Sequence, residues 1–147
     1  MFKKNVVPLD GSKLAEQALP YAESLANAYG ATLIFVRVIP RFSTPAAPLN
    51  VAAVDKQLED EAATYLEAIH ARVSAGGIPV ETHNVVSESA SEALLSVAHE
   101  QGAELIVGVS NGRSGIARTI FGSTIDDLVR DPGQPVMVIN GVDVDED

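Results

Sequence analysis

Short β-branched, apolar runs alternate along this chain with longer stretches of helical period, and that alternation limits the fold more than any other feature. The runs fall at residues 5–9, 32–39, 79–86, 104–109 and 135–140, the spacing of successive βα units around a mostly parallel sheet. Leu33-Ile34-Phe35-Val36 and Leu105-Ile106-Val107 are continuously apolar, as strands covered on both faces by helices must be. With 147 residues, of which 46% are hydrophobic, the chain can bury one core and would divide poorly into two. The expectation is a single α/β domain over 1–147, doubly wound, with a five-stranded sheet and about four helices.

The intervening segments carry helix signals. Leu14, Ala18, Tyr21, Ala22, Leu25, Ala28 and Tyr29 recur at steps of three and four, Gly30 can close that helix in the left-handed conformation, and Pro20 is expected to kink it. Leu58, Ala62, Leu66, Ile69 and Val73 form the stripe of a second helix ending at Gly76-Gly77. Ser89-Ala90-Ser91-Glu92 has capping-box spacing and predicts a third helix up to Gly102. A fourth is expected to begin near Gly122-Ser123 and to stop at Pro132-Gly133. Residues 40–54, interrupted by Pro40, Pro45 and Pro48, predict a flexible loop that serves as a lid or as a plain connector. Residues 141–147 form an acidic tail, read as a solvated end.

Composition removes several functions. There is no cysteine, which excludes disulfides, thiolate metal sites and thiol nucleophiles. A formal charge of −10 and the lack of any basic stripe argue against nucleic acid as a partner. The opening Met1-Phe2-Lys3-Lys4-Asn5 leads into an apolar run too brief for a signal peptide or a membrane span, so a soluble, cytoplasmic protein is expected. His70, His83 and His99 lack metal-site spacing, and neither G-x-S-x-G nor paired catalytic carboxylates occur. No catalytic residue is assigned; at most a slow hydrolysis without a dedicated base is compatible with the sequence.

In an open parallel sheet, ligands bind beyond the carboxyl ends of strands where the winding reverses, and the first strand adjoins that reversal. Attention therefore falls on Pro8-Leu9-Asp10-Gly11-Ser12. No G-x-G-x-x-G follows the first strand, which argues against a dinucleotide. Glycines appear instead after the fourth strand, in Gly108-Val109-Ser110-Asn111-Gly112-Arg113-Ser114-Gly115, and again at Gly122-Ser123. Gly122, Ser123 and Thr124 at a helix N-terminus can cradle a phosphate, and Arg113 and Arg118 can help hold an anion. Each also has a plain structural role: Asp10 and Ser123 as helix caps, the arginines as solvated surface charge.

These residues resemble the nucleotide-binding type of universal stress protein. That family carries G-x-x-G, nine residues, then G-[ST], and this chain has Gly112, nine residues from Arg113 to Phe121, then Gly122-Ser123. The resemblance extends to the opening Val6-Val7-Pro8-Leu9-Asp10-Gly11-Ser12, to Val36-Arg37-Val38-Ile39, to Glu104-Leu105-Ile106-Val107 and to Pro135-Val136-Met137-Val138-Ile139. One position departs: Val109 stands where the first glycine belongs, with Gly108 one place early. Either the branched side chain narrows the pocket, or a one-residue bulge returns Gly108 to the role.

The resemblance implies a Rossmann-like, adenine nucleotide alpha hydrolase-like fold that binds ATP or another adenine nucleotide with Mg²⁺. It implies that Asp10 approaches the ribose, the phosphates or the metal ion, that Pro8 and Val38 help line the adenine pocket, that Gly112, Arg113, Gly122, Ser123 and Thr124 surround the phosphates, and that Leu9, Gly108, Val109 and Asn111 belong to the same nucleotide-binding set. It implies a homodimer through the last strand, Val136 to Ile139, and a stress-response role exercised through an unidentified regulatory partner. The alternatives are a dimeric interaction module of the same fold that has lost the nucleotide, with Val109 as its clue, and an adenylate-handling enzyme.

Overall fold

The computed structural model describes residues 1–40, 51–110, 120–130 and 133–142. Arg113, Arg118, Asn111 and Gly112 lie outside them, as do residues 41–50 of the predicted loop and 143–147 of the acidic tail. The strands are β1 (Lys4–Pro8), β2 (Thr32–Pro40), β3 (Val80–Ser87), β4 (Leu105–Ser110) and β5 (Val136–Asn140). The α-helices are α1 (Leu19–Tyr29), α2 (Val51–Ser74), α3 (Ala90–Gln101) and α4 (Ile120–Val129), with a 3₁₀ turn at Ala15–Ala18 before α1. The sheet runs β3-β2-β1-β4-β5, and every pairing is parallel.

Alternation along the strands divides the core in two. Val7, Leu33, Phe35, Leu105 and Val107 pack beneath Leu19, Ala22 and Ala26 of α1 and Leu66, Ile69 and Val73 of α2. Val6, Ile34, Val36 and Ile106 face Ala93, Leu94 and Val97 of α3 and Ile125 and Leu128 of α4. Burial on both faces is why β2 and β4 read as unbroken apolar runs. Truncating a fully buried side chain such as Leu94 to alanine costs about 2–5 kcal/mol.

The helix ends follow their predicted caps. Ser89 Oγ accepts the Glu92 N–H at 3.3 Å, and α1 and α3 close on Gly30 and Gly102 in the left-handed conformation. Three expectations need correction. Pro20 does not kink a helix; the 3₁₀ turn takes up the preceding periodic residues and Pro20 sits in the first turn of α1, where its missing N–H breaks no helical bond. The connection after β2 is shorter than 40–54, because α2 already begins at Val51, past the last of the interrupting prolines. Helix α4 begins at Ile120, so Gly122 lies inside its first turn rather than at its boundary and Ser123 is not its cap. Among the described residues no helix is long and apolar enough to cross a membrane.

Candidate functional site

The strand order reverses between β1 and β4: the chain winds outward through β2 and β3 over one face, then returns across the other face to β4 and β5. Beyond a reversal the connecting segments diverge, leaving a crevice at the carboxyl ends of the two strands. Pro8, Leu9 and Asp10 end one wall, and Ser110 ends the other.

Local hydrogen bonds shape the β1 side. Leu9 N–H donates to the Val36 carbonyl at 2.9 Å, extending the sheet one residue past β1. Asp10 Oδ1 then accepts from Ser12 N–H at 2.9 Å and from Ser12 Oγ at 2.6 Å. Ser12 Oγ in turn accepts the Ala15 N–H at 3.1 Å, opening the 3₁₀ turn. Asp10 therefore does not cap the helix itself; it orients the serine that does. Gly11 has φ +89°, and a Cβ there would lie 2.8 Å from Arg37 Nη1, so this turn combines a left-handed backbone with a guanidinium lying close above it.

Arg37 was not among the residues singled out from the sequence, although it is the one charged residue in the apolar run Leu33–Ile39. Strand alternation puts it on the face of Phe35, and its guanidinium carbon lies 5.3 Å from the centroid of the Tyr65 ring on α2. Tyr65 Oη donates to Glu16 Oε2 at 2.9 Å. Burial, and next the neighbouring Glu16 carboxylate, push the Tyr65 phenol well above its ordinary range, so it stays a donor. Asp10, Arg37, Val38, Ile39, Pro40 and Leu58 together line a cleft at the carboxyl ends of β1 and β2, against α2. Of the predicted residues, Asp10 and Val38 meet in this cleft. Pro8 and Leu9 are buried and do not belong to its lining, Leu9 lying in the core with residues of α1.

On the β4 side, Gly108 and Val109 fall on opposite faces of the strand. The pairing of β4 with β5 runs Ile106↔Val136 to Ser110↔Asn140 without a slip, so no bulge shifts Gly108. A Cβ at Gly108 would collide with Ile125 Cδ1 and stand 2.8 Å from its Cγ1: the glycine lets α4 pack against β4. Val109 points to the other face, where it is 4% exposed in the core with Leu14. It therefore does not narrow the space between β4 and α4. Thr124 is buried in the second turn of α4, and Gly122 contributes to a first turn whose N–H groups have no acceptor within the helix.

Comparison with known proteins places these features in a family. The sequence model of the universal stress protein family matches residues 1–140. A universal stress protein of Methanocaldococcus jannaschii, MJ0531, is 25% identical over 142 residues, covering 95% of this chain and 82% of its own length. A solved structure of a universal stress protein family member from Burkholderia pseudomallei superimposes with a TM-score of 0.77 at 30% identity, covering 94% of this chain and 96% of that one. A universal stress protein solved in complex with cAMP aligns with a TM-score of 0.60 at 26% identity, over 93% of this chain and 95% of that one.

Proposed function

This chain belongs to the universal stress protein family, and from that premise we propose that it is a cytoplasmic, dimeric stress-response regulator whose signal is a bound adenine nucleotide, ATP in the first instance. The observation that carries the proposal is the surface beside the sheet reversal, where Asp10 and Arg37 with Val38, Ile39 and Leu58 surround a cleft of about 40 Å³, too small to enclose a nucleoside, so that the base would lie across its mouth. An apolar wall with a few convergent polar groups suits a nucleoside: the base lies on the aliphatic side chains and the ribose hydroxyls meet a carboxylate. The phosphates would extend toward the first turn of α4, whose N–H groups and positive dipole end favour anions, with Gly112, Arg113 and Arg118 contributed by the preceding segment. The relative solved with cAMP supports an adenine ligand.

The donor set limits what a metal ion can do. Among the described residues no cluster of three or more acidic or histidine side chains could hold a cation, so a Mg²⁺ ion would arrive with the phosphates as its main ligands and Asp10 as its protein contact. Binding itself is the function assigned, without a catalytic residue.

Dimerisation is proposed through the edge strand β5. Val138 is 39% and Tyr21 is 54% exposed, and the two line one groove with Met137, Ile139 and Asn140. An uncovered apolar edge of this kind is stabilised by pairing with a second copy.

With no tryptophan and three tyrosines, the protein absorbs weakly at 280 nm, and co-purified adenine is expected as excess absorbance at 260 nm. Calorimetric titration with ATP and Mg²⁺ then tests the site, and Asp10→Ala is expected to weaken binding by about tenfold, the loss of one charge-assisted contact. Unchanged affinity in that variant would refute the placement of the ribose. Absence of any adenine nucleotide binding would return the protein to the interaction-module class, and product formed on prolonged incubation with ATP would make it an enzyme.

A further inference from the structure

Between Arg72 and Arg113 the chain has no lysine or arginine, but it has Glu81, Glu88, Glu92, Glu100 and Glu104. This stretch folds into β3, α3 and β4. Glu104 is engaged at the amino end of the sheet, accepting from the Phe2 and Lys3 N–H groups at 3.2 and 3.0 Å. Glu92 and Glu100 lie on α3 with Ser96 between them, spaced i, i+4, i+8, and form one exposed stripe.

The stripe overlooks a sheet edge that is left unpaired among the described residues. β3 is the outermost strand of the sheet, and its 8 residues pair with β2 in continuous register from Leu33↔Val80 to Pro40↔Ser87. Among the devices that blunt a free edge it has neither proline, lysine nor bulge, and its one charged side chain is the exposed Glu81, of the sign that a basic strand would meet. Helix α2 packs on one of its faces. On the other, α3 sits mainly over β1 and β2, leaving a groove between β3 and α3. Half-buried Val85 with Ala93 and Val97 forms its apolar floor, and Glu92, Ser96 and Glu100 form its wall.

We propose that this groove docks an extended basic segment of a partner protein, which adds to the edge of β3 as a sixth strand. A strand placed there satisfies the outward N–H and C=O groups of β3 and turns every second side chain into the groove. Lysine or arginine fits those positions on both counts: the aliphatic stem covers Val85 and Val97, and the charged head reaches the glutamates. A second copy paired through the same edge would bring the same negative surface to the same place, which opposes that arrangement. Nucleic acid is excluded for the same reason. The proposal does not rest on nucleotide binding, although the two places are neighbours: Val38, Ile39 and Pro40 of the cleft pair with Val85, Val86 and Ser87 of the groove.

The test uses the full-length protein and a fluorescein-labelled peptide of alternating lysine and threonine, matched to the 8 residues of β3. Saturable binding by fluorescence anisotropy is expected, with slowed amide exchange within β3. The same peptide with glutamate for lysine, and a version N-methylated on alternate backbone amides, are expected not to bind. Ser96→Lys with Glu100→Lys is expected to weaken the lysine peptide by at least about tenfold, through charge repulsion at the groove. Both positions are exposed, and lysine suits the carboxyl half of a helix, so the variant should fold and retain its thermal midpoint. Failure of the lysine peptide to bind, binding that survives the double substitution, or binding without protection of β3 would each overturn the proposal.

Discussion

Asn5 is fully buried in the middle of the sheet, and neither its side-chain nitrogen nor its side-chain oxygen has a hydrogen-bond partner among the described residues. Burying an unpaired polar group costs about 1–3 kcal/mol. Asn5→Leu is therefore expected to raise the unfolding free energy by an amount of that order, read as a higher urea midpoint at unchanged slope; a lowered midpoint would count against that expectation. Val109→Gly separates the sequence-based idea from the structural one. An obstructing side chain predicts a gain in nucleotide affinity on its removal, whereas the position of Val109 in the α1 face of the core predicts a loss of about 2 kcal/mol in stability with affinity unchanged. Gly108→Ala meets Ile125 and is expected to cost about 1–3 kcal/mol by overpacking, read as a lowered thermal midpoint. Neither side-chain direction was available from the sequence, because a glycine one place early in a motif does not reveal which face of the strand it occupies.

At the scale of elements, the strands and all four α-helices could be located from periodicity and punctuation alone. The Ser89 cap is the clearest case: its hydroxyl meets Glu92 N–H as the spacing predicts, and Ser89→Ala is expected to cost about 1 kcal/mol in denaturant unfolding. Less legible were the starts of α2 and α4. A proline-rich segment says where a helix cannot be, but not how soon after it one resumes; and a glycine is tolerated in a first turn as readily as before one. The turn after β1 was legible as a position and not as a mechanism. Asp10 looked like a cap, and proves to act through Ser12, since the Asx-type bond closes before the helical turn begins.

At the scale of the whole molecule, the two sheet edges carry opposite chemistries. β5 is short and partly apolar, with Val138 and Tyr21 exposed beside it; β3 is longer and borders an acidic groove. If β5 is the dimer edge, Val138→Lys is expected to convert a dimer to a monomer in size-exclusion chromatography with light scattering, because a lysine on a pairing edge opposes association. A dimer that survives this change would place the interface elsewhere.

The sequence by itself determined the alternating βα order, the apolar strands, the caps and the acidic balance, because each is written in residues close along the chain. The family resemblance, carried by short stretches spread over nearly its whole length, was equally visible. Only the tertiary structure decided which strand lies beside which, that Arg37 reaches Gly11 and Tyr65, that Gly108 serves Ile125, and that the β3 edge is left beside a row of glutamates. Those are contacts between residues distant in sequence, fixed by sheet order and by which face each side chain occupies, and no local pattern encodes them.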